Sequence, residues 1–143
     1  MTVRLEHANL CVHDIDAVAR FLKTAFPEFK IRRDTTDPDG SRWVHIGIDE
    51  TYIALSQAKA EEGSRGTPYK GRPGLNHLAY EVDDVDALSA RLLAAGYQDS
   101  TFPNDHPYRK RVYFYDPDGN DWEFVQYLSD DPVKRHDYEL PDR

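Results

Sequence analysis

The chain of 143 residues holds one cysteine, Cys11. No intrachain disulfide can form, and nothing calls for an oxidising compartment. No apolar run approaches the ~20 residues of a membrane span, so no membrane partner is expected. The opening Met1-Thr2-Val3-Arg4-Leu5-Glu6-His7 lacks the apolar core of a signal peptide, and the expected location is cytoplasmic. Positive charge is also scarce: 18 Lys and Arg face 26 Asp and Glu, for a net charge of −8. A surface that acidic repels phosphate backbones, which argues against a nucleic-acid partner. What is present, 39% apolar and 31% charged residues, fits a globular chain with a core of its own.

The chain repeats itself at an offset of seventy positions (77 − 7 = 70). Leu5/Leu75, His7/His77, Val12/Val82, Asp14/Asp84, Asp16/Asp86, Ala17/Ala87 and Leu22/Leu92 are identical pairs. A histidine is among the fixed points.

The repeat carries the same element pattern twice. Residues 4–12 alternate as a strand. Asp14 is then an expected N-cap, and Asp16 adds negative charge in the first turn. Ile15, Val18, Ala19, Phe21, Leu22 and Phe26 form a helical stripe that Pro27 ends. Strands are expected at 29–35, 42–48 and 52–57, with Asp37-Pro38-Asp39-Gly40 as a turn between the first two. Residues 59–74, rich in Gly, Pro and charge, read as a linker, with Lys70 and Arg72 as cations on it. The second copy runs from a strand at 75–82 through a helix built on Val85, Leu88, Leu92 and Leu93 that stops near Gly96. Strands at 98–102, 110–115 and 121–127 follow, with 116–120 as a turn and 129–143 as a polar tail. The expectation is an α+β fold in a single domain: two tandem βαβββ modules, 4–58 and 75–128. They form a curved eight-stranded mixed sheet with the helices on its outer face.

Strand alternation sorts the polar residues. His7, Asn9 and Cys11 share one face, and Leu10 and Val12 the other. His77, Ala79 and Glu81 oppose Leu78, Tyr80 and Val82. In the last strand Trp122 and Phe124 suit the helix side, which turns Glu123 inward. A carboxylate among large apolar neighbours needs a partner. Two imidazoles and one carboxylate on a concave face suit a divalent metal with open positions for a substrate. His7, His77 and Glu123 are the expected ligands. Bland alternatives exist for the same residues, as hydrogen-bonded core histidines and a half-exposed acid. Arg109, Lys110 and Arg111 alternate on one strand, so a cation reaches the inner face. Arg111 and Asn9 are the expected substrate contacts. His106 lies near them in sequence, while His13, His45 and His136 have no comparable setting and receive no role.

The doubled order, the openings Leu5-Glu6-His7-Ala8-Asn9-Leu10-Cys11-Val12-His13-Asp14 and Leu75-Asn76-His77, and the ending Tyr113-Phe114-Tyr115-Asp116-Pro117-Asp118-Gly119-Asn120-Asp121-Trp122-Glu123 resemble the vicinal oxygen chelate superfamily. That group includes glyoxalase I, bleomycin-resistance proteins, fosfomycin-modifying thiol transferases and extradiol dioxygenases. The resemblance implies a small-molecule substrate, chelated through neighbouring oxygens to a divalent metal ion (Fe, Ni, Zn or Mn), and a homodimer. Glyoxalase I draws a further carboxylate from the strand at 52–57, where this chain has Ala54. Three ligands are more similar to the transferases and dioxygenases. Tyr113, ten residues before Glu123, is similar to the acid/base tyrosine of the ring-cleaving enzymes. Glu123 and Tyr113 are therefore the expected catalytic residues. The expected function is a metal-dependent enzyme of lyase or isomerase type. The alternatives are an extradiol Fe(II) dioxygenase and a metal-free drug-binding protein of the bleomycin-resistance type.

Overall fold

In the computed structural model, which describes residues 3–59, 69–70 and 73–139, Asp14 and Asp84 do the same work in the two copies. Asp14 Oδ1 accepts a hydrogen bond from the Ala17 N–H at 2.9 Å, and Asp84 Oδ1 accepts one from Ala87 at 2.9 Å. Each cap is worth about 1 kcal/mol and fixes where its helix starts.

The chain divides into two compact units, Met1–Arg65 and Gly66–Arg143. In the first unit, β1 (His7–Val12), α1 (Ile15–Ala25), β2 (Lys30–Thr36), β3 (Arg42–Gly47) and β4 (Tyr52–Gln57) follow in order. The second holds β5 (His77–Glu81), α2 (Val85–Ala94), β6 (Gln98–Asp99), β7 (Arg109–Tyr115), β8 (Asp121–Tyr127) and a short α3 (Pro132–Arg135). These are two tandem βαβββ modules in an α+β fold. The strands form two four-stranded sheets, ordered β1-β4-β3-β2 and β5-β8-β7-β6. In each, the first strand pairs in parallel with the last, and the remaining pairs are antiparallel. No helix among the described residues is long and apolar enough to cross a membrane.

Each unit buries one sheet face under its own helix. Leu10, Val12, Val44, Ile46, Ile53 and Leu55 pack with Ile15, Val18, Phe21 and Leu22 of α1 in the first core. Trp122, Phe124 and Phe114 pack with Val85, Leu88 and Leu92 of α2 in the second. Leu93 departs from expectation: at 52% exposed it points outward, because the residue after Leu92 turns about 100° away around the helix. Gln126 Oε1 accepts from the Val85 N–H at 3.0 Å, tying β8 to the start of α2. The strand expected at 98–102 spans only Gln98–Asp99, both exposed. The tail is not featureless, since Asp131 caps α3 with Pro132 in its first turn. Most of the expected linker (60–68 and 71–72, including Arg72) lies outside the described residues, as do 140–143 of the tail.

One ion-pair network holds α1 to β2 and β3. Arg42 donates to both carboxylate oxygens of Asp34 (3.0 and 2.8 Å) and both of Asp16 (3.1 and 3.0 Å). The hydrogen bonds from Arg42 hold both carboxyls below their usual range. Their folded pKa values lie below the unfolded ones. The stabilisation is complete above about pH 4 and disappears as the pH falls further. Arg42→Met should therefore lower stability at pH 7 yet flatten its loss below about pH 4. Urea titrations at pH 7 and 3 check this, and an unchanged acid slope counts against it.

Candidate metal centre

Strand parity puts His77, Ala79 and Glu81 of β5 on the sheet face away from α2, with Asp121, Glu123, Val125 and Tyr127 of β8 and Arg109, Arg111, Tyr113 and Tyr115 of β7. Ala79 pairs with Glu123, so Glu123 lies diagonal to His77. The His77 Nε2 to Glu123 Oε2 distance is 3.0 Å. Glu123 is the more buried partner, its side chain 14% exposed against 31% for His77.

The other ring nitrogen decides what that contact means. His77 Nδ1 donates to Asn76 Oδ1 at 2.7 Å. A neutral ring so held carries its lone pair on Nε2, directed at a carboxylate. Two lone-pair donors 3.0 Å apart repel unless an electrophile lies between them. A proton is one such electrophile and a metal ion is another. Two ligands each about 2.1 Å from an ion and at right angles to one another lie about 3 Å apart, so the pair fits a divalent cation.

The first unit repeats the support on Nδ1. His7 Nδ1 bonds the Glu6 carboxylate at 2.5 Å, which leaves Nε2 as the candidate ligand atom. Glu6 stands at the position equivalent to Asn76, so the support repeats with the histidine. Neighbours of this kind fix the tautomer and raise donor strength. Asn76→Ala should weaken divalent-metal binding about tenfold, within the range typical of such supports. Competition with a metal-sensing dye checks this, and unchanged affinity removes Asn76 from the site.

Other groups crowd the second-unit pair. Tyr113 is 3% exposed and its hydroxyl bonds Glu123; burial first, then the Glu123 charge, push its pKa well up, so the phenol keeps its proton. Its ring lies 5.8 Å from His77, edge-on, and 4.9 Å from Phe102. Arg111, half-buried on the same face, holds its guanidinium 5.8 Å from the Phe102 ring. Tyr69 donates to Asp121 Oδ2 at 2.9 Å and places its oxygen 3.4 Å from His77 Nδ1. Ser100 donates to Asp121 Oδ1 at 2.6 Å.

In the first unit, Asn9 is exposed on the His7 face and accepts from the Ser56 hydroxyl at 3.0 Å. Ala54 pairs with Asn9 on one side and His45 on the other, and offers no donor. His45 shares that face. Its ring lies 4.5 Å from Tyr52, which in turn stacks on His7 at 4.8 Å. Burial, then the nearby Arg32 charge, lower the His45 pKa.

Of the expected residues, His77, Glu123, Tyr113 and Arg111 share one face of the second sheet, and His7 and Asn9 one face of the first. Among the described residues no three His, Cys, Asp or Glu side chains gather into a ready metal cluster. Sequence reasoning passed over three neighbours. Asp121 is two residues before Glu123 and so on its face, a signal that period-2 counting contains. His45 has the parity of the His7 face. Tyr69 falls in the expected linker, where no periodicity points to it.

A family model described as Glyoxalase/Bleomycin resistance protein/Dioxygenase superfamily matches residues 4–124. No curated protein matches the sequence. Solved structures similar to the chain include a mutant of the fosfomycin resistance protein FosX from Listeria monocytogenes, complexed with Mn(II) and 1S,2S-dihydroxypropylphosphonic acid. It is 23% identical, with 87% of this chain and 92% of that one covered at a TM-score of 0.67. A glyoxylase/bleomycin resistance protein/dioxygenase domain from Frankia sp. EAN1pec is 24% identical (89% and 99% covered, TM-score 0.69). A glyoxalase family protein from Bacillus cereus is 12% identical (90% and 97% covered, TM-score 0.71). At these identities the likeness speaks for the fold.

Proposed function

The chain belongs to the Glyoxalase/Bleomycin resistance protein/Dioxygenase superfamily, and from that premise we propose that it is a metal-dependent enzyme acting on a small oxygenated molecule. His77 and Glu123 are the ligand pair of the second unit, and His7 is the candidate ligand of the first. The observation that carries this reading is the His77 Nε2–Glu123 contact at 3.0 Å with Nδ1 held by Asn76. The FosX structure complexed with Mn(II) is compatible with a divalent ion in this fold.

A bound divalent ion supplies Lewis-acid stabilisation of an oxyanion on a substrate chelated through neighbouring oxygens. The chain's own residues orient and protonate. Tyr113 holds a proton beside Glu123 and can deliver it to a developing oxyanion. Arg111 on the same face suits an anionic substituent, and Asn9 is the candidate substrate contact on the His7 face of the first unit. Lyase or isomerase chemistry fits this set best. A homodimer in the cytoplasm is part of the same reading.

Elemental analysis of protein purified without chelators tests it. Stoichiometric nickel, zinc or manganese without oxygen uptake supports lyase-type chemistry. Iron(II) with oxygen uptake on catechols supports the second reading, an extradiol dioxygenase, which the Tyr113–Glu123 hydrogen bond favours. Absence of bound divalent metal sinks both and leaves a drug-binding protein of the bleomycin-resistance type.

A further inference from the structure

Two buried groups at the start of β7 stand apart from the His77–Glu123 pair. Arg109, the first residue of β7, is 3% exposed although it is charged. Its Nη1 donates to the main-chain carbonyls of Asp137 at 2.8 Å and Arg135 at 3.4 Å. Its guanidinium carbon lies 4.5 Å from the centre of the Tyr138 ring. These partners are neutral, and its Nε has no acceptor among the described residues.

His106 is 4% exposed and pairs with Arg109 through an isolated antiparallel bridge. Its Nδ1 accepts from the Tyr108 N–H at 3.1 Å. In the neutral ring the proton therefore sits on Nε2, and Nε2 also has no acceptor among the described residues. Buried donors are almost always satisfied, because leaving one unpaired forfeits its hydration with no return.

His106 and Arg109 are bridged neighbours, each with a buried N–H donor, and among the described residues no carboxylate pairs with the Arg109 cation; this set matches an oxyanion in charge and in hydrogen-bonding sense. We propose that His106 and Arg109 form an anion-binding subsite for a carboxylate or phosphoryl-type group. The segment around α3 roofs it. Arg135 secures that roof, donating to both Glu81 oxygens at 3.1 Å with its guanidinium carbon 3.9 Å from the Tyr127 ring.

The sheet register sets the spacing to the metal pair. Arg109 pairs with Tyr127 and Tyr113 with Glu123, four residues along β7 (113 − 109 = 4). At about 3.3 Å per residue this is roughly 13 Å. Arg111 lies halfway along the same face. A ligand that reaches both ends is an extended oxygenated acid, longer than a three-carbon unit. Assigning the anion to the substrate rests on the metal-dependent function proposed above; the two donors do not.

Calorimetric titration of inorganic phosphate, and separately of acetate, into metal-free full-length protein tests the subsite. The expected result is saturable binding of at least one anion. The preferred anion tells phosphoryl from carboxylate ligands. Binding should be equal in wild type and His77→Ala, and at least tenfold weaker in His106→Leu and Arg109→Met. Arg109→Met also removes the anchor of the roof, so His106→Leu with an unchanged circular dichroism spectrum is the deciding variant. No saturable binding of either anion, or unchanged binding in that variant, overturns the proposal. So does binding that vanishes in His77→Ala, which would put the anion on the metal-ligand pair. If phosphate binds as expected while the purified protein carries no divalent metal, the subsite stands and the metal-dependent function falls.

Discussion

Glu123→Gln is expected to weaken divalent-metal binding by more than about a hundredfold, and activity should fall with it. Losing a group that only orients a ligand costs about 10–100-fold, and the loss of a ligand itself should exceed that range. The exchange keeps size and shape but replaces an anion with a neutral amide at a site only 14% exposed, where charge is poorly screened. His77→Ala should behave alike. Asn76→Ala should fall well short of both, and this graded order is more diagnostic than any single value. Dye competition gives the affinities, and a circular dichroism spectrum confirms that each variant is folded. If Glu123→Gln holds metal like the wild type, Glu123 is not a ligand and the site must be drawn elsewhere.

The largest structural effect is expected from Asp116→Ala, at about 3 kcal/mol or more. Asp116 is 4% exposed at the turn between β7 and β8. Its Oδ1 accepts from the N–H groups of Asp118 and Asn120 at 2.8 and 3.0 Å. Its Oδ2 accepts from Asn120 Nδ2 at 2.7 Å and from Trp122 Nε1 at 3.0 Å. Trp122 is fully buried, so the substitution strands its indole N–H in the core at a cost of about 1–3 kcal/mol. The turn N–H groups lose a charged acceptor as well. Against a typical stability of about 5–15 kcal/mol, that is a large fraction. Urea denaturation measures it, and a cost below about 1 kcal/mol would show that the turn is held by other means. The effect should reach the site, because Trp122 immediately precedes Glu123 on β8.

Much of this was legible from the sequence, for definite reasons. The helices follow from Asp14 and Asp84 as caps and from apolar stripes that match a buried face. Alternation along the last strand told Glu123 from Trp122 and Phe124, and the seventy-residue repeat singled out His7 and His77. Other features needed three dimensions. The contact of His77 with Glu123 runs diagonally across β5 and β8, so it depends on a register no single strand contains. The Glu6 and Asn76 supports directly precede their histidines, and alternation along the expected strands at 4–12 and 75–82 assigns them to the opposite face. Asp121 is readable from the same period-2 count that marks Glu123. Tyr69 reaches Asp121 from a segment with no pattern. Leu93 points outward because α2 buries a narrower stripe (Val85, Leu88 and Leu92) than α1, where the adjacent Phe21 and Leu22 are both buried.

His7 and His77 both ride on edge strands, β1 and β5. Among the described residues, each joins its sheet only through the parallel ladder to the last strand of its unit. The first rungs, His7 to Tyr52 and His77 to Asp121, span 45 and 44 residues (52 − 7 and 121 − 77). The β2–β3, β3–β4 and β7–β8 pairings are closed by short turns and β6–β7 by a nine-residue loop (100–108), so all form more locally. Loop-closure entropy therefore makes the histidine strands the last to dock in each unit. With one side unpaired among the described residues, they are also the first to come away. An ion gripped by His77 and Glu123 would clasp β5 to β8 at that late-forming seam. Stripping the ion should speed hydrogen exchange in β5 while leaving β7 protected, so the chelate would also act as a kinetic fastener on the fold.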